Sequence, residues 1–143
     1  MSWIKLVLLV CGLNASSDLH TQIDTVAKEF DIERTLILSV VKRESQCSQT
    51  ALGSSDDRGL MQVIPKWHHD RMAKLGATDL FDPMQNLRVG THFLMSLGAA
   101  DAPHAALVFY NGGHKKPQSS YKYAQEVLEK KELYDKMLKE SKE

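Results

Sequence analysis

Thr35-Leu36-Ile37-Leu38-Ser39-Val40-Val41-Lys42-Arg43-Glu44 is an apolar run that closes on two cations and a carboxylate. Helical spacing sets Leu36, Val40 and Glu44 on one stripe, so the acid sits on the greasy face. Burial disfavours its ionised form, and the nearby negative end of the helix dipole disfavours it further. Both effects push the pKa up from an ordinary value of about 4.3. A glutamic acid that keeps its proton can give it to a leaving oxygen, the step that glycosidic cleavage requires. Glu44 is therefore a candidate general acid. The alternative is a surface carboxylate in the last helical turn, paired with Lys42 or Arg43.

Outward from this helix, the pattern is helical almost throughout. Leu19, Ile23, Val26 and Phe30 repeat at helical spacing behind Ser17 or Asp18 as N-cap, predicting a helix over Asp18 to Phe30. Asp31 is read as the cap of the next, Glu33 to Glu44, which gives way to the polar loop Ser45 to Asp57. Gly59 and Pro65 bracket Leu60 to Ile64, too short for a helix and read as a turn or a single strand. Further helices are expected over Lys66 to Leu75, Met84 to Leu97, and Ala105 to Tyr110 with Pro103 in its first turn. Two more, Ser119 to Lys131 and Glu132 to Ser141, end the chain. No strand-length alternation, repeat or linker appears, so the fold class is mainly α.

Composition limits what such a domain does. The 143 residues suit one domain, and 43% apolar content is enough for a core. Eighteen basic and eighteen acidic residues cancel, which gives no field to draw in nucleic acid. The Lys-rich end from Lys130 interleaves acids with bases and reads as a solvated helical face. Residues 1–15 stand apart: Lys5 precedes the apolar Leu6 to Leu13, and Ala15 offers a small residue before Ser16. That length fits an export signal and falls short of a membrane span. The expectation is a signal peptide over 1–15 and a domain over 18–143, with a buried N-terminal helix as the alternative. Lipid attachment at Cys11 is disfavoured by the bulk of Val10 before it. Loss of the leader would leave Cys47 alone, so no internal disulfide is expected, and nothing nearby would activate Cys47 as a nucleophile. His68-His69-Asp70 is locally dense, but adjacent helical residues point about 100° apart, so no metal site is expected.

The order Glu44-Ser45, Gly59-Leu60-Met61-Gln62, Asn86-Leu87 with Gly90, Ala106 to Asn111 with Gly112, and Tyr123 with Val127 resembles the soluble lytic transglycosylase family over roughly residues 19 to 131. The resemblance implies a lysozyme-like, mostly helical domain with a central cleft, a monomer, which cleaves peptidoglycan glycan strands without metal or cofactor. It makes Glu44 the one catalytic acid/base and Tyr123 the residue that hydrogen-bonds it. Ser45 would orient the carboxyl or the substrate, or merely help to end the helix. Gly59, Leu60, Met61 and Gln62 match a substrate-binding motif whose Gln amide both donates and accepts, with Met61 as cleft floor or sugar contact. Tyr110 and Asn111 match an Ala-Tyr-Asn motif whose asparagine faces the cleft, with Tyr110 as core or wall and Phe109 in the place of the alanine.

Glycosidases commonly use two carboxylates, an acid and a base or nucleophile about 5 to 9.5 Å apart, whereas a lytic transglycosylase needs one. Asp56 and Asp57 stand where family members commonly carry small or apolar residues. They raise a second reading, an inverting muramidase in which one of them positions water, against a local ion pair or turn cap with Arg58. A third reading is an idle glycan-binding module, against which the pairing of Glu44 with Tyr123 argues. By resemblance the setting is exported and wall-facing, in general wall turnover or with a phage, pilus or secretion assembly.

Overall fold

A computed structural model describes residues 1–140. Seven α-helices run through them: α1 (Trp3–Cys11), α2 (Leu19–Phe30), α3 (Arg34–Ser45), α4 (His69–Leu75), α5 (Pro83–Ser96), α6 (Pro103–Gly112) and α7 (Gln118–Glu140). The described residues contain no strand, only isolated bridges joining Arg58 to Leu52 and to Val63. The fold class is therefore mainly α, as the spacing predicts.

Helix α3 lies between α2 and α7, α2 packs on α5, and α6 packs on α7. Its residues Ile37, Leu38, Val40 and Val41 are all fully buried. An α-helix buried on most of its circumference is central, which is why its run is apolar beyond one stripe. The helix ends where Gln46 and Cys47 turn left-handed at φ 52° and 66°.

Several boundaries differ from expectation for local reasons. Asp31 is the left-handed C-cap of α2, and Glu33 opens α3 instead. The expected helix from Lys66 divides into a 3-10 turn, Pro65–Trp67, and α4, with the break at His68. The two helices expected at the end are one 23-residue helix, α7. Nothing between Lys130 and Glu132 is a glycine or proline that would break it. Ser141 lies outside the described residues.

The N-terminal apolar segment is α1, and it is folded into the core. Leu6 and Val7 are fully buried, the Trp3 indole donates to the His20 carbonyl at 2.8 Å, and the Arg34 guanidinium lies 4.5 Å from the Trp3 ring centroid. Cys11 is disulfide-bonded to Cys47 across a Cα separation of 5.6 Å. The expectation that Cys47 has no internal partner is thus corrected for the chain as it stands. The packing of α1 brings two sulfurs together that lie 36 residues apart, a contact invisible to local spacing. No described helix is long and apolar enough to cross a membrane.

Candidate active site

Glu44 lies one residue before the last of α3, partly buried against α7. The Tyr123 phenol, 79 residues away in sequence, donates to Glu44 Oε2 at 2.7 Å. Burial is the main cause that lifts the Glu44 pKa, to about 7. The Tyr123 hydrogen bond and the Arg43 charge oppose the rise, and the Asp57 charge adds to it. Arg43 itself is turned outward to Glu126 at 3.4 Å, with its guanidinium 5.5 Å from the Tyr123 ring. The carboxyl is thus not the surface ion pair of the alternative reading. It is a group that changes protonation state near neutral pH and whose rotamer a buried phenol holds.

The turn Gly59 to Gln62 is tied to the end of α3, and buried polar groups fix it. Ser45 Oγ reaches the carbonyls of Val41 at 3.0 Å and Leu60 at 2.8 Å. Its single proton is spent on those carbonyls. Ser45 therefore ties the turn to α3 and does not orient the Glu44 carboxyl. Gly59 has φ 71°, and a Cβ there would meet the Leu80 carbonyl at 2.5 Å and the Asn86 amide at 2.6 Å. The close approach it permits is to these groups in its own domain.

Leu60 and Met61 are packed inside the domain, which for Met61 is the floor alternative. Their side chains are 2% and 0% exposed, and Met61 fills the space over Gly90, where a Cβ would come within 2.6 Å of its sulfur. Those side chains pack in the core. Their backbone is committed as well: Met61 N–H donates to Asn86 Oδ1 at 2.8 Å, and the Met61 carbonyl accepts from the Tyr110 phenol at 2.6 Å. The Gln62 amide nitrogen donates to the carbonyls of Ala51 at 3.2 Å and Gly59 at 3.0 Å. Gln62 is therefore anchored by its donor side, and the double role expected of it narrows to its amide oxygen.

Asn86 is the site-building residue that sequence reasoning treated only as part of a motif. It is fully buried, and its amide nitrogen donates to the carbonyls of Arg58 at 2.7 Å and Leu80 at 2.8 Å. Its signal was a lone amide on the apolar face of α5, four residues beyond the Asp82 cap. Such a group has to find partners once buried. Tyr110 extends the same scaffold: its ring lies 5.2 Å from that of Phe93, and burial, with the Glu44 charge second, holds its phenol well above the ordinary value. Asn111 is exposed at the end of α6, and its Oδ1 accepts from Ser120 at 2.7 Å. Tyr121, two residues before Tyr123, is 48% exposed and lies instead 6.3 Å from His104.

The two aspartates differ from one another. Arg58 clamps Asp56 with two hydrogen bonds, 2.9 and 3.1 Å, at the surface. Asp57 folds back over Gly53, accepts from the Ser55 N–H at 3.1 Å, and is near enough for its charge to act on Glu44. Two cavities of about 380 and 350 Å³ lie elsewhere, and neither is lined by Glu44.

A protonatable carboxyl at the end of a buried helix, a phenol that holds it and a pinned Gly-Leu-Met-Gln turn thus stand together in one mainly α domain. The model of the transglycosylase SLT domain matches residues 22–133, and the chain belongs to that family. Among similar proteins, membrane-bound lytic murein transglycosylase C of Yersinia enterocolitica serotype O:8 / biotype 1B (strain NCTC 13174 / 8081) is 30% identical over 103 residues, covering 61% of this chain and 29% of that protein. Among solved structures, an inactive glutamate-to-glutamine mutant of lytic transglycosylase Slt from Pseudomonas aeruginosa superposes with a TM-score of 0.74 at 19% identity, covering 83% of this chain and 24% of that one. The fold is thus the one the motifs implied. The chain spans under a third of the length of either relative.

Proposed function

We propose that this domain cleaves the β-1,4 bond between N-acetylmuramic acid and N-acetylglucosamine in peptidoglycan, with Glu44 as its one acid/base and a 1,6-anhydromuramoyl end as product. The observation that carries this reading is the Glu44 carboxyl, held by Tyr123 and lifted to a pKa of about 7 by burial. Protonated Glu44 gives its proton to the glycosidic oxygen as the bond to C1 breaks, and the N-acetyl oxygen of the same muramoyl unit stabilises the cation developing at C1. The Glu44 carboxylate then takes the proton from the muramoyl 6-hydroxyl, whose oxygen closes on C1. The proton count returns to its start and no water is consumed. Tyr123 keeps the carboxyl oriented in both states. The Gln62 amide oxygen and the Asn111 amide nitrogen are the polar groups this reading assigns to the sugar, and Tyr110 serves as wall.

Mass spectrometry of muropeptides from digested wall sacculi tests the product. Anhydro ends support the transglycosylase. Reducing ends would replace it with the muramidase reading, for which Asp57 is the one aspartate near enough to matter and Asp56 is occupied by Arg58.

The wall-facing location is part of the same proposal, and the Cys11–Cys47 bridge supports it because disulfides persist in oxidising compartments. A leader cut at residue 15 would remove α1 and leave the Cys47 thiol bare, whereas retention keeps the bridge. Intact mass and thiol counting on exported protein separate the two.

A further inference from the structure

Arg71, on α4, is a partly buried cation whose hydrogen-bond partners among the described residues are uncharged. Its Nε donates to His68 Nδ1 at 3.2 Å, and its Nη1 pairs with His92 Nδ1 on α5. A guanidinium has no lone pair to accept with, so both imidazoles must accept. Each therefore carries its own proton on Nε2, as a second donor. No carboxylate among the described residues forms an ion pair with Arg71, whereas neighbouring Arg88 is held by Glu29 at 2.8 Å. His68 is held neutral by burial first and by the Arg71 charge second, with a pKa of about 4. Burial lowers His92 too, and the charges of Arg71, Lys74 and Arg88 add to the effect. The cluster is all donors, with an uncompensated positive charge. A planar fork of this kind is built for a carboxylate.

Its place in the fold says which carboxylate. The Arg71 guanidinium lies 5.1 Å from the Phe93 ring, His68 packs edge-on at 4.6 Å, and Phe93 lies against Tyr110. Tyr110 in turn holds the Met61 carbonyl and feels the charge of Glu44. One aromatic layer thus separates the donor cluster from the catalytic scaffold. Trp67, immediately before His68, is 70% exposed with the Lys66 ammonium 4.9 Å from its ring centroid. An exposed indole and a second cation thus immediately precede His68 in the chain.

We propose that Arg71, seated between His68 and His92, binds a carboxylate of the peptide stem that hangs from each muramoyl unit of the strand. This rests on the peptidoglycan reading above, and it makes the enzyme one that prefers stem-bearing strands to bare glycan.

The test uses the full chain on two substrates: stem-bearing glycan strands, and the same strands stripped of stems by an amidase. The parent should show the lower KM on the stem-bearing strands. Arg71→Gln should raise that KM about tenfold, as loss of a charged hydrogen bond does. Its kcat should hold, its KM on stripped strands should not move, and Arg71→Lys should recover part of the loss. Added salt should raise the parent's KM on stem-bearing strands alone, a readout that needs no variant to fold. Equal losses on both substrates would overturn the proposal by showing a prop for Tyr110, and no change on either would overturn it outright. A parent inactive on both would instead strike the peptidoglycan reading itself.

Discussion

Two regions of the molecule, the end of α3 and the loop before Arg58, carry carboxylates, and they differ in everything but that chemistry. Glu44 ends a buried helix, has lost much of its water and receives one phenol hydrogen bond. Asp56 and Asp57 sit in a polar loop, one spent on Arg58 and the other capping its own turn. An acid catalyst needs its proton at working pH, and the first region supplies the burial that holds one. The difference teaches that the environment, not the count of acids, assigns the roles.

The strongest way to break this comparison is to remove the dry acid. Glu44→Gln keeps the shape and the acceptor for Tyr123 but cannot give up a proton, so kcat on wall sacculi should fall about a thousandfold, within the range of general acid catalysis. A variant that digests at the parent's rate would hand the chemistry to the loop.

Next in size is the phenol. Tyr123→Phe deletes the hydrogen bond that steadies the carboxyl and opposes its pKa rise. Turnover should drop about tenfold, as expected when one charged hydrogen bond is lost. Activity that declines as pH rises through about 7 in the parent should decline at higher pH in the variant. A pH profile that does not move would separate Tyr123 from the titration of Glu44.

The same group carries a stability signature. Its folded pKa of about 7 stands above the unfolded value of 4.5, so the stability it contributes is fully present below about pH 4.5 and lost as pH rises through 7. Glu44→Gln should therefore melt above the parent at pH 8, by at most about 3 kcal/mol, and with no such gain at pH 4. Thermal melts at the two pH values check the sign.

The smallest effects belong to the loop. Asp57→Asn removes a charge that raises the Glu44 pKa, so the pH profile should slide slightly toward acid while rates stay within about threefold, a change of under 1 kcal/mol. Asp56→Asn should change little, because an exposed pair with Arg58 contributes about 1 kcal/mol or less. A hundredfold loss in Asp57→Asn, with reducing ends among the parent's products, would sharpen the comparison into the opposite conclusion.

Much of this was legible in the chain. The apolar period of α2, α3 and α5 placed those helices within one or two residues, because their buried faces repeat at helical spacing. Glu44 could be singled out from its stripe alone. What was not legible depended on contacts distant in sequence. The Glu44–Tyr123 bond spans 79 residues, and its motif pointed to it while spacing could not. The Cys11–Cys47 bridge needed α1 folded onto α3. Leu60 and Met61 carry the motif that the resemblance assigns to substrate, yet their side chains fill the core. The hydrogen bonds of Asn86 that hold this turn involve carbonyls no pattern identifies in advance.

Direct titration of the Glu44 carboxyl, by carbon NMR on protein labelled at its glutamate carboxyls, with Glu44→Gln to assign the signal, tests the central claim. The account predicts a midpoint of about 7. A midpoint near 4.3, the ordinary value for a glutamate in water, would contradict it.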